Sequence, residues 1–300
     1  MRCIVPIEFN PFFKLVERVF VEARFPLHFS RFSKKMYGNF THVFLLVYKE
    51  RFHLSYRRLE EVATENGLQR ILGIKKIPDH STSFKFLKKV DKRMLRKMIR
   101  ACAKIVGIIK SKSIIDSTGF SLTNPSHYYL KRINGKQPKN FVKTTLLADS
   151  RMKIVLNAQT HSNRTHDVND FIPLLEELRG ITKSILADKA YDSSKVLEYC
   201  KLKGINPMIP VREWKNNRKG YGLKPRIGGK LRREMFENFD EKEYHQRNII
   251  ESINSAIKRT LGGFIGSRLR GNQEKQTLFK ILTYDLEIIN RKITLTINFP

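Results

Sequence analysis

The apolar positions of this chain keep a helical period over its first third and then change. Over residues 40–52, aliphatic and aromatic side chains recur at the spacing of a helix. Ser55 predicts the N-cap of a following helix, SYRRLEEVATENG, which Asn66-Gly67 ends. Pro78-Asp79-His80-Ser81 predicts the start of another, running through Phe84, Leu87 and Val90 to about Val106. From Ser113 the period shortens. SIIDSTGF is a β-branched run, and a basic loop, KRINGKQPK, follows it. FVKTTLLA and MKIVLNAQT predict two strands joined by a turn at Asp149-Ser150-Arg151, and SILAD and INPMIPV predict two more. Helices are expected at residues 168–178 and 193–202, and again at about 241–261 and 273–290. Strands that alternate with helices after an initial hairpin indicate a mixed α/β sheet flanked by helices, here preceded by a mainly helical region.

Charge decides what such a protein meets. The chain carries 58 Lys+Arg against 28 Asp+Glu, a formal +30. Residues 1–112 alone hold 25 and 9 of these, or +16. Acidic neighbours are scarce around clusters such as Lys75-Lys76 and Lys88-Lys89, so pairing within the chain cannot neutralise them. A polyanionic partner follows, nucleic acid first, with an anionic membrane surface or a ribosomal role as the other readings. Two helices on a short connection, the second rich in lysine, suit a helix-turn-helix over about residues 55–92. A basic helical bundle with no recognition helix has the same composition. Cys3, Cys102 and Cys200 are far apart and show no CxxC, which predicts reduced, buried thiols and excludes a disulfide framework or a zinc site. No apolar run reaches the ~20 residues of a membrane helix. The N-terminal stretch mixes acidic and basic residues into its apolar run, unlike a signal peptide, so a cytosolic protein is expected.

Candidate chemistry concentrates in YHQRNIIESINSAIK, residues 244–258, where Tyr244, Arg247, Glu251 and Lys258 stand at offsets 0, 3, 7 and 14. On a continuous α-helix those offsets fall on one stripe. Taken alone, Arg247 and Glu251 make an ion pair one turn apart, worth a few tenths of a kcal/mol. Two upstream acids change that reading. Asp116 ends SIID and Asp188 ends SILAD, and open α/β sheets present ligands at the C-terminal ends of their strands. Three carboxylates supplied in this way would hold a hard divalent cation against phosphate. Two such ions, ~3.5–4 Å apart, can clamp the attacking and leaving oxygens of an in-line displacement. The competing reading of Asp116 is a strand-end cap for the turn before Gly119. Asp192 suits the N-cap of the next helix, which leaves Asp188 as the better ligand. His166-Asp167 reads as a helix start, and His161 and His166 lack the partner pattern of a metal site.

These motifs carry a resemblance. The four helix positions match the Y-x2-R-x3-E-x6-K signature of DDE transposases from bacterial and archaeal insertion sequences. IIDST resembles that family's first aspartate strand, and LADKAYDS its second, usually written DKGY, with Ala190 in place of the glycine. KRTLGGF after the signature is similar too. From Asp116 to Asp188 is 72 residues and from Asp188 to Glu251 is 63, spacings that suit the family. The resemblance spans roughly residues 112–290.

It implies an RNase H-like DDE catalytic domain over residues 112–300, with a short basic insert at about 212–235, behind a basic helical DNA-binding region over 1–111. It also implies Asp116, Asp188 and Glu251 as catalytic metal ligands for Mg2+ or Mn2+, with two ions. Arg247 and Lys258 would contact backbone phosphates of the bound end, and Tyr244 would line the same groove. The nucleophile would be water when an end is nicked and a 3′-hydroxyl in strand transfer. The expected protein is a transposase that binds the terminal inverted repeats of its element. It would act as a homodimer on double-stranded DNA, cytoplasmic and nucleoid-associated, with no membrane. The alternatives are an RNase H-like nuclease without a joining step and a non-catalytic DNA-binding protein derived from a transposase. Trp214, the single tryptophan, stacks on an unpaired base in the first of its two readings and packs within the insert in the second.

Overall fold

The alternating segments assemble into a five-stranded mixed sheet. A computed structural model describes residues 11–32, 35–122, 132, 140–212 and 229–298. The strands are β1 (Ser111–Ser121), β2 (Phe141–Asp149), β3 (Val155–His161), β4 (Thr182–Ala187) and β5 (Asn206–Met208). Their order is β3-β2-β1-β4-β5. The β1–β2 and β2–β3 pairs are antiparallel, whereas β1–β4 and β4–β5 are parallel. Flanked by helices, this is the RNase H-like α/β fold. Both faces of the sheet are covered, which explains why its strands read as nearly continuous apolar runs. Neighbouring residues alternate between two cores. Ile114, Leu146, Val155 and Leu186 enter one, and Ile115, Leu147, Leu156 and Ile185 enter the other.

Among the described residues, six helices precede the sheet: α1 (Pro11–Glu22), α2 (Asn39–Arg51), α3 (Tyr56–Glu65), α4 (Leu68–Ile71), α5 (His80–Lys89) and α6 (Lys92–Ile105). The second core is closed by α7 (Val168–Glu176) and α8 (Ser194–Lys203), and α9 (Lys230–Glu237) and α10 (Glu241–Tyr244) follow β5. The first is closed by α6 together with α11 (Asn248–Leu261) and α12 (Arg270–Asn298). Side chains of α1, α2, α3 and α5 belong to that same first core.

The caps predicted for α3 are present. Ser55 Oγ accepts from Arg58 N at 3.2 Å. Asn66 ends α3, and Gly67 takes the left-handed conformation (φ 68°) that a side chain would strain. Four expectations need correction. The helix predicted from Pro78 to about Val106 is two helices, because Val90 is extended and Asp91 accepts from Arg93 N at 2.8 Å, restarting the chain as α6. The helix predicted over 241–261 is interrupted by a 3-10 turn at His245–Arg247. The last helix is longer than 273–290, since Thr277, Lys280, Thr283 and Asp285 are buried beside its apolar residues and no polar face marks its limits. β1 runs through Gly119 without a turn, so Asp116 lies within a strand rather than at a strand-end cap.

The KRINGKQPK loop apart from Arg132, together with Cys3, Trp214 and most of the basic insert, lies outside the described residues. Cys102 and Cys200 are free and buried. No helix among the described residues is long and apolar enough to cross a membrane.

Candidate active site

Strand register brings the two aspartates together. The parallel ladder of β1 and β4 pairs Ile114 with Leu186 and ends at Ile115 opposite Ala187. Asp116 and Asp188 are the next residue of each strand, so they leave adjacent strands at the same level. From there β4 stops and β1 continues antiparallel to β2. The Asp188 carboxylate accepts from Lys189 N at 2.5 Å and caps a 3-10 turn at Lys189–Tyr191. Burial pushes the Asp116 carboxyl above its ordinary range. The Ser117 N–H and the Arg247 guanidinium pull it back, and the charges of Asp188 and Asp167 oppose them.

The two-residue period of β1 puts Ile114, Asp116, Thr118 and Phe120 on one face, and that is the face α11 covers through Ile250, Ile253, Ile257 and Leu261. The Tyr244–Lys258 set therefore lies over the same strip. Arg247, in the 3-10 turn, stands 3.9 Å from Asp116 Oδ2 and 3.0 Å from Glu251 Oε1. Its guanidinium bridges the strand acid to the helix acid, whose own side chain is 61% exposed. Tyr244 packs against Phe239. Burial raises its phenol, Arg247 lowers it, and the negative charges of Asp188 and Asp116 raise it further. Lys258 stands apart. Seven residues past Glu251, roughly 10 Å along the helix, it donates to Thr118 Oγ1 at 2.6 Å and lies 5.7 Å from the Phe120 ring centroid. Burial lowers its pKa.

Thus Asp116, Asp188, Tyr244, Arg247 and Glu251 share one neighbourhood, and Lys258 extends it along α11. Glu251 reaches Asp116 through Arg247 and not directly. Among the described residues, no three acidic, histidine or cysteine side chains surround a single point. The donor chemistry nevertheless fits a hard divalent cation, because Asp116 and Asp188 present carboxylate oxygens from adjacent strands and a cation already stands between Asp116 and Glu251.

Behind the acids lies a polar chain that spacing alone does not reveal. Ser117 Oγ, on the opposite face of β1, is 3.0 Å from Thr145 Oγ1, which donates to Asp170 Oδ2 at 2.6 Å. His161 Nε2 is 2.7 Å from Asp170 Oδ1. Tyr191, fully buried, has its hydroxyl 3.4 Å from Ser117 Oγ. Asp167 begins α7 as expected, but its carboxylate pairs with Lys143 Nζ at 2.6 Å and makes no cap hydrogen bond. Asp192 is not the cap of α8. Ser193 holds that position, and Asp192 accepts from Arg232 and from Arg212 N, tying the chain on both sides of the insert to the sheet. These partners are 9 to 74 residues apart in sequence, too far for a local pattern to announce them.

A family model described as the transposase DDE domain matches residues 109–285, which contain β1 through the first half of α12, with Asp116, Asp188 and Glu251. No curated protein sequence matches the chain. Among solved structures, the cryo-EM structure of a piggyBac transposase synaptic complex with hairpin DNA is similar at a TM-score of 0.45 and 12% identity, covering 94% of this chain and 74% of that one. The family match spans more than half of the chain, and the chain belongs to the family of proteins with a transposase DDE domain.

Proposed function

We propose that this protein is the transposase of a prokaryotic insertion sequence, binding the terminal inverted repeats and performing metal-dependent strand cleavage and strand transfer. The observation that carries the reading is the register of β1 and β4, with Asp116 and Asp188 emerging side by side near the 3-10 turn that bears Arg247 and the helix that bears Glu251. Asp116, Asp188 and Glu251 would hold Mg2+ or Mn2+, two ions by family analogy. A bound divalent cation supplies Lewis-acid polarisation of the scissile phosphate.

The chain's own residues do the rest. Asp116 sits where burial disfavours its charge, so a cation is drawn to it. Arg247 faces Asp116 and Glu251 and offsets one of their two charges in the free protein, and a backbone phosphate entering the groove offers its guanidinium a bidentate partner. Exchange of that partner would release Glu251 toward the strand acids. Lys258, next along α11, meets the following phosphates, with Thr118 holding its ammonium in place. Tyr244 walls the groove on the far side of Arg247. The lysine-rich α3–α5 group would read the terminal repeats, residues 1–111 serving as the DNA-binding region and 112–300 as the catalytic one. A homodimer holding two ends is the expected assembly.

The test is nicking and joining of a labelled duplex that carries the element's own end, taken from the DNA flanking the gene. Wild type should nick only with Mg2+ or Mn2+. Glu251→Ala and Asp116→Ala should bind the end but lose cleavage by about a thousandfold or more, several kcal/mol of lost transition-state stabilisation. Nicking retained in Glu251→Ala would remove that residue from the metal set. Nicking without joined products would favour the nuclease.

A further inference from the structure

Three stretches of the chain meet at one carboxylate just past Asp188. Asp192 follows that acid by four residues, and its side chain is 2% exposed. Arg232, from α9, holds it with both prongs of its guanidinium: Nε donates to Oδ1 at 2.9 Å and Nη2 donates to Oδ2. Arg212 N donates to the same Oδ2 at 2.7 Å. Arg232 Nη2 also donates to Arg212 O at 3.1 Å, so the two arginines, 20 residues apart, are bonded to each other as well as to the acid.

A clasp that only tied the insert down could lie anywhere on the sheet. This one acts on the turn that carries Asp188. Arg212 Nε donates to Lys189 O at 2.9 Å, inside the 3-10 turn Lys189–Tyr191. Asp192 N closes the turn on the same oxygen at 3.2 Å. On the other side, Lys189 N donates to Asp188 Oδ1, which sets the rotation of that carboxylate. Lys189 is therefore held at its N–H by the acid and at its carbonyl by the clasp. The residue itself is exposed, so packing does not hold it. The remaining hold is Tyr191, whose buried ring lies 5.8 Å from that of Phe171 and whose hydroxyl is 3.4 Å from Ser117 Oγ. Pairing of β4 with β1 stops at Ala187, so the turn, and not the ladder, fixes the next residue.

We infer that Asp192 is a positioning residue for the metal ligands: with Arg212 and Arg232 it fixes the Lys189–Tyr191 turn, and through that turn it aims the Asp188 carboxylate beside Asp116. The pair is shielded from water, since the side chain of Arg232 is only 14% exposed. Removing either partner leaves a desolvated charge that must move to find water, and the turn is released with it. A cation needs its ligand oxygens at fixed distances, so a loosened carboxylate gives up affinity even when its charge is kept. The inference rests on the reading of Asp116 and Asp188 as metal ligands.

The experiment measures binding of Mn2+ alone to the full chain, without DNA, from the electron paramagnetic resonance signal of the unbound ion. Each protein is held well below its Tm. Wild type should bind Mn2+, and Asp188→Ala should lose that binding. Asp192→Asn keeps the size of the side chain and should weaken binding about tenfold. If Asp192→Asn does not fold, Arg232→Lys, which keeps the charge without the two-pronged bond, carries the same expectation. Glu50→Gln is the control for lost stability. It breaks the buried pairing of Glu50 with Lys49 and Lys280, outside the turn, and should lower Tm with Mn2+ affinity unchanged. Wild-type affinity in the clasp variant, or an equal loss in Glu50→Gln, overturns the inference and leaves the metal site standing. No binding by wild type, or full binding by Asp188→Ala, overturns the metal reading and the inference with it.

Discussion

His42 is the residue whose environment makes the clearest prediction. Its ring stacks on Phe86 at 4.7 Å, its Nδ1 is buried without a hydrogen-bond partner, and burial lowers its pKa from 6.5 to about 4. The unfolded chain therefore binds more protons than the folded one between those two values. The stability tied to a neutral His42 is present in full above pH 6.5 and is lost as pH falls toward 4, about 3 kcal/mol in all. Thermal melts across that window should show a smaller fall in Tm for His42→Phe than for wild type, and parallel curves would reject the assignment. Single residues are legible from sequence where the partner is local. The Arg247–Glu251 pair and the Ser55 cap are both within one turn and both present. Asp192 misleads because a sequence shows that a residue can cap and not that Arg212 and Arg232 reach it from 20 and 40 residues away.

At the scale of elements, two interruptions matter more than the helices they divide. Asp91 separates α5 from α6 with a side-chain cap, although the surrounding pattern reads as one helix. Asp91→Ala should cost about 1 kcal/mol in denaturant unfolding, the ordinary loss for an N-cap, with the urea dependence (m) unchanged. An unchanged midpoint would mean that the break is held by packing around Val90 instead. The 3-10 turn at His245–Arg247 falls at the candidate site. It tightens the chain just before α11 and carries Arg247 between Asp116 and Glu251. The offsets of the signature survive this turn as a shared neighbourhood but not as a straight stripe. Strand positions are easier to read than strand lengths, since a run of β-branched residues marks where pairing is favourable while the partner strand decides where it stops.

For the whole molecule, the first core joins what sequence reading separates. Leu95, Met98, Ile99 and Cys102 of α6 lie in one cluster with Val155 of β3 and Leu282 of α12. A fragment beginning at residue 109 would expose that apolar surface to water. It should aggregate or unfold without cooperativity, as read by size-exclusion chromatography and circular dichroism. A soluble, cooperative fragment would show that the sheet and its later helices suffice. Loss of end binding on truncation is therefore a poor test of the α3–α5 group. Lys88→Ala with Lys89→Ala in the full chain is the better one. If these lysines meet phosphates, binding should weaken across sequences, and the slope of log K against log salt should fall by about one for each phosphate no longer neutralised. An unchanged slope would place the DNA elsewhere.

The sequence by itself determined most of the succession of strands and helices, although not α1, α9 or the two interruptions, and the basic character that calls for a polyanion. It also marked the three acids with their flanking Tyr244, Arg247 and Lys258, because period, charge and short motifs are local properties of a chain. Only the tertiary structure decided that Ile115 pairs with Ala187, so that Asp116 and Asp188 stand side by side. It alone put Arg247 between Asp116 and Glu251, bonded Lys258 to Thr118 and gathered Arg212 and Arg232 onto Asp192. Register between distant strands and the packing of helices on a sheet depend on contacts between residues tens to hundreds of positions apart. A hydrophobic pattern specifies which face of an element is buried but not what it meets there.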